Sequence, residues 1–142
     1  MELSTLATSK NEKEGKWFRV ELYGKKQDFA LKLLGSDSDE VISFQRDKIR
    51  NLNISGKTYE EMNDDEIEEL IEMGNENAII RIAGISSIKV TRKGWELTDV
   101  PVTMNGEELK NDEKSYKKLI ENIPAIKDFI FNISKKRDNF LD

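Results

Sequence analysis

Trp17-Phe18-Arg19-Val20-Glu21-Leu22-Tyr23, then Gly24-Lys25-Lys26-Gln27, then Asp28-Phe29-Ala30-Leu31-Lys32-Leu33 form the stretch on which the fold class turns. Phe18, Val20 and Leu22 fall on one side of an extended chain and Arg19 and Glu21 on the other, the period of a half-buried strand. Phe29, Leu31 and Leu33 alternate with Lys32 in the same way, and Gly24 to Gln27 read as the turn between them. The pair is a β-hairpin whose apolar face needs a cover.

Downstream the period becomes helical. Asp37-Ser38-Asp39-Glu40 has the spacing of a cap, with Asp37 three residues before Glu40, and negative charge suits the positive end of a helix. Val41, Phe44, Gln45, Lys48, Ile49 and Leu52 follow as a narrow stripe, which Asn51 to Gly56 should end. The clearest start signal is Asn63 as N-cap with Glu66 at the third helical position and Met62 placed to staple on Ile67. Ile67, Leu70, Ile71, Ala78, Ile82 and Ile85 recur at helical spacing, so a helix is expected from Asp64 to about Ala83. Ile85 to Thr91 is β-branched, and its period fits either a continued helix or a strand. Gly94 to Gly106 reads as a loop with a short strand at Val100 to Val102, and Trp95 as a plug for the core. Asp112 caps a short helix carrying Tyr116, Leu119, Ile120 and Ile123, and Pro124 suits the first turn of a last helix carrying Ile126, Phe129, Ile130, Ile133 and Phe140.

The fold class expected is therefore α+β, an N-terminal β-hairpin packed against a mainly α-helical body of about four helices. Residues 1–15 lack periodicity and read as a flexible arm, and residues 16–142 as one domain. A chain of 142 residues is within the usual range for a single core.

Composition narrows the chemistry. With no His and no Cys, the Ser-His and Cys-His nucleophile systems, disulfides and the common zinc sites are unavailable. Neither GxGxxG nor GxxxxGK[ST] occurs. The net charge is −5, and Glu60, Glu61, Asp64, Asp65, Glu66, Glu68, Glu69, Glu72 and Glu76 follow one another without an intervening Lys or Arg. Such a run repels nucleic acid and reads as a solvated helix face rather than a metal or acid/base centre. Asp37-Ser38-Asp39 faintly resembles a calcium loop, but Ile42 stands where that loop needs Gly. No apolar run approaches the ~20 residues of a membrane span, and the cytoplasm fits best. No catalytic, metal or cofactor site is expected.

Read in order, Phe29-Ala-Leu-Lys-Leu-Leu-Gly-Ser-Asp-Ser38, an acidic helix, Gly94-Trp95-Glu96-Leu97-Thr98-Asp99, Asn105-Gly106-Glu107, Tyr116-Lys-Lys-Leu-Ile-Glu-Asn-Ile-Pro124 and Arg137-Asp-Asn-Phe-Leu141 resemble the small tail-assembly chaperone and tail-accessory proteins of long-tailed phages and prophages. The resemblance implies a non-enzymatic protein of the bacterial host cytoplasm. It would bind the tape-measure protein, and through it meet the tail-tube protein, with no cofactor, nucleic acid or membrane. A structural tail or head-tail joining protein of the virion is the alternative. The partner-binding residues expected are Phe129, Ile130, Ile133 and Phe140, which spread over more than one face of the last helix, together with Trp17 on the polar face of its strand. Self-association through the same stripe is the competing expectation.

Overall fold

The structure, a computed structural model, describes residues 8–50 and 57–141. The hairpin forms as its alternation requires: β1 (Lys16–Leu22) and β2 (Lys25–Leu33) pair antiparallel, with Phe18 opposite Leu31 and Lys16 opposite Leu33. Its turn is tighter than Gly24 to Gln27. It consists of Tyr23 and Gly24, at φ 54° and 74°, the left-handed pair whose twist matches that of the flanking strands. Glycine takes this conformation without steric cost, and Lys25 to Gln27 are released into β2.

The hairpin is half of a wider sheet. On its other side β2 pairs with β3 (Ile82–Thr91), which pairs with β4 (Gly94–Leu97), giving four antiparallel strands in the order β1-β2-β3-β4. Ile85 to Thr91 is thus strand, and α3 stops at Ile79 rather than at Ala83. Ile82 and Ile85, expected on the helical stripe, instead reach the core from β3 opposite Leu33 and Leu31. The free backbone groups of β2 decide this, because a central strand needs ladder partners on both sides. Gly94 to Leu97, expected as loop, becomes the edge strand, with Trp95 opposite Val90 rather than plugging the core. The expected strand at Val100 to Val102 is replaced by a two-stranded pair, β5 (Thr103–Met104) and β6 (Glu107–Glu108), around Asn105-Gly106.

The helices follow their caps. Within the segment read as an arm, α1 (Lys10–Glu14) forms a capping box between Ser9 and Glu12. Glu12 is fully buried, and Arg137 Nε donates to it at 3.0 Å. The Asn11 side chain donates to the Phe140 carbonyl at 2.9 Å. A helix this short has no visible period, and beyond the Ser-x-x-Glu spacing of its cap nothing local shows that Glu12 meets a partner at the far end of the sequence. In α2 (Asp39–Arg50) the cap is Ser38, whose hydroxyl accepts the Val41 N–H at 3.4 Å, and not Asp37. The expected end of α2 over Asn51 to Gly56 lies outside the described residues. The box of Asn63 and Glu66 opens α3 (Asp64–Ile79), and Asp112 opens α4 (Glu113–Asn122) by accepting the Ser115 N–H at 2.8 Å. Pro124 immediately precedes α5 (Ala125–Ser134); Phe140 belongs to a separate 3-10 turn, Arg137–Phe140.

The layers close around α5, which lies against β1 and β2, while α3 and α4 pack on α5 and on each other. Val20, Leu31, Leu33, Ile126 and Ile130 are at the centre of this α+β core. One polar knot crosses it. Arg81, between α3 and β3, is 2% exposed. Its Nε donates to the Ser134 hydroxyl at 3.0 Å, its Nη1 to the Asn77 carbonyl at 2.9 Å, and its guanidinium faces the Phe131 ring at 5.1 Å. The Ser134 hydroxyl donates on to the Leu34 carbonyl at 2.8 Å. Burial pushes the Arg81 pKa down to about 10, so the group remains charged at neutral pH and these partners take the place of its water.

Candidate functional site

The residues expected to meet a partner are largely consumed by the protein's own core. Ile130 and Phe140 are fully buried, and Phe140 packs edge-on against Phe18 with ring centroids 5.3 Å apart. Phe129 and Ile133 are half-buried and pack on the same cluster. The last helix has apolar residues on more than one face because it meets the sheet on one side and α3 and α4 on another. Ile130 and Phe140 therefore act as core residues, not as a free stripe. Trp17 is half-buried on the opposite face of the sheet, where its ring crosses over Gly84.

Apolar surface that the core leaves open lies along α3. Glu68, Glu72 and Glu76 recur every four residues on that helix, and Ile71, Asn75 and Ile79 form a parallel row beside them. Four-residue spacing keeps each row on one side of a 3.6-residue helix. α4 supplies the facing wall, where Glu113, Lys117 and Glu121 have the same spacing. Between the walls is an open groove of about 330 Å³, whose rim carries five glutamates and one lysine. Ile71 on its floor is 50% exposed. A second cleft of about 360 Å³ shares Glu76, Ile79 and Glu113 and continues toward α2 over Phe44, Ile82 and Tyr116.

The electrostatics of this groove are one-sided. Lys48 Nζ stands 3.6 Å from Glu76 and Lys117 Nζ 3.9 Å from Glu121, with all four side chains at least 42% exposed. Exposed pairs of this kind contribute ~0–1 kcal/mol to stability, and their lysines offset the charge of two of the five glutamates. Among the described residues, Glu68, Glu72 and Glu113 have no ion pair. In the neighbouring cleft, burial, helped by the charge of Asp112, raises the pKa of the Tyr116 hydroxyl. The arrangement offers apolar contact flanked by negative charge. No nucleophile–base pair lies in it, and among the described residues no group of three or more acidic side chains is disposed to hold a metal ion.

A second exposed apolar feature is the β3–β4 end of the sheet. The register puts Ile88 opposite Leu97 and Val90 opposite Trp95, so the four side chains share one face. Val90 and Leu97 are exposed there, and β4 is an edge strand. No helix among the described residues is long and apolar enough to cross a membrane.

Comparison of the chain with protein-family models, with curated proteins and with solved structures returns no match.

Proposed function

We propose that this chain is a non-catalytic binding protein that holds a helical segment of a longer partner, acting as a tail-assembly chaperone for the tape-measure protein in the cytoplasm of a phage-infected or lysogenic bacterium. The observation that carries the proposal is the groove between α3 and α4, where the protein's own packing leaves Ile71 half exposed between two helices. Long helical proteins display apolar stripes before assembly, and a groove of this shape covers such a stripe by the helix-in-groove mode. The order of sequence segments, from the hairpin to Arg137-Asp-Asn-Phe-Leu141, supports the tail-assembly form of the reading. Nothing in the mechanism calls for a cofactor.

Co-expression tests it. The tape-measure protein encoded beside this chain should be mostly insoluble alone and recovered in the soluble fraction, bound to this chain, when the two are made together. Equal solubility with and without the chain removes the chaperone function. A second reading, a structural tail or head-tail joining protein, is favoured by the open edge of β4 and its exposed Val90 and Leu97, which suit contacts between copies. Mass spectrometry of purified particles separates the two: a chaperone is absent from the finished virion, and a joining protein is present in stoichiometric amount.

A further inference from the structure

From the charge and shape of the α3–α4 groove we infer the chemistry of its occupant: a cationic amphipathic helix, with Lys or Arg flanking an apolar ridge. The inference rests on the chaperone reading for its biological setting, but not for its test. Glu68 to Glu76 covers eight helical steps, about 12 Å at 1.5 Å per residue, so the rim follows a partner helix for about two turns. An occupant with apolar residues three and four apart sets them around the exposed Ile71, with Ile79 held in the core behind it, and basic residues beside that ridge reach the glutamates on both walls.

Other occupants fit less well. Both walls are helices, and the groove contains no sheet edge on which an extended peptide could pair. Anionic lipid headgroups and nucleic-acid phosphates are repelled by five glutamates set against one lysine. A second copy of this chain carries a net charge of −5 and brings like charge to the rim. Complementary charge on the partner speeds encounter and rejects acidic helices of the same hydrophobicity, so the rim supplies selectivity and the floor supplies contact.

The test uses the full chain and two synthetic 16-residue helical peptides, one with leucines at helical spacing flanked by lysines, the other identical but with glutamates for the lysines. Fluorescence anisotropy should show the lysine peptide bound at micromolar Kd, at least about tenfold tighter than its glutamate twin, and weakening as salt rises. The pair Glu68→Lys/Glu72→Lys, which leaves three glutamates and three lysines on the rim, should abolish the preference. Glu21→Lys/Glu96→Lys, the same change of net charge on the sheet and away from the groove, should preserve it. Ile71→Gln, which removes the apolar contact without adding charge, should weaken the lysine peptide's binding through the floor, with each variant first shown to melt cooperatively. Equal binding of the two peptides, or equal effects of the groove and control swaps, overturns the inference. If the groove swaps leave partner solubilisation intact, the occupant is wrong and the chaperone stands. If the peptides bind as expected but the tape-measure protein gains no solubility, the groove assignment stands and the chaperone reading falls.

Discussion

Gly84 is the position at which one methyl group should report on the packing of the sheet's outer face. An ideal Cβ there lies 2.9 Å from Trp17 Cη2 and 3.3 Å from Cζ2, against an optimal carbon separation of about 3.5–4.0 Å. In Gly84→Ala the indole must therefore withdraw by roughly 0.6–1.1 Å, because the other side of the methyl is bounded by the Lys32 Cβ at 3.4 Å. Overpacking of this kind costs about 1–3 kcal/mol, and the lower chain entropy of alanine in the unfolded state returns about 0.4–1 kcal/mol. The net expectation is a loss of about 0.5–2 kcal/mol. With Trp17→Leu the clash is removed and only the entropic gain remains, so the same Gly84→Ala change becomes neutral or stabilising, a coupling equal to the clash of about 1–3 kcal/mol. Urea melts of the four proteins of this cycle measure it. In a Trp95→Phe background Trp17 is the sole tryptophan, and its emission should shift red as the ring is displaced toward water. An unchanged cost of Gly84→Ala in the Trp17→Leu background would show that the ring does not rest on Gly84 and would refute the assigned register of β1, β2 and β3.

Two further outcomes follow from the core and the caps. Phe140→Ala removes a fully buried ring packed edge-on against Phe18, so it should lower the unfolding free energy by about 3–5 kcal/mol, seen as a large fall in the urea midpoint. A folded domain of unchanged stability would instead restore Phe140 to the surface. Asp112 has its carboxyl pKa lowered first by the Ser115 N–H, so its stabilisation of α4 is present above the unfolded carboxyl pKa and lost as pH falls through the folded one. Asp112→Asn should therefore alter the slope of thermal stability with pH only in the acid range. Parallel curves for the two proteins from pH 7 to pH 2 would contradict the cap.

What was legible along the chain was local. The alternation in β1 and β2 faces the core because the period of a strand is built into the pleat, and Asn63 and Asp112 cap α3 and α4 because a cap is satisfied by backbone N–H groups within the next turn. The glutamate row Glu68-Glu72-Glu76 was equally readable as one helix face. None of this says which element lies opposite. The change from α3 to β3 was decided by the ladder groups of β2, which Ile82 to Thr91 satisfy, and the same β-branched run is compatible with helix when read alone. The Ser9-x-x-Glu12 spacing marked a cap, but the burial of Glu12 lacked any local mark, since the Arg137 that meets it is at the other end of the sequence.

The candidate site divides along the same line. Sequence determined that the chain is α+β, that α3 is acidic on one face, and that His- and Cys-based chemistry is absent. Only the tertiary structure decided that the terminal helix uses Ile130 internally while the 3-10 turn after it buries Phe140, and that α4 stands beside α3 at a distance that leaves Ile71 open between two acidic walls. The reason is physical: periodicity shows which face of an element is apolar, but whether that face is covered depends on contacts between residues far apart in the chain, and those contacts leave no period of their own.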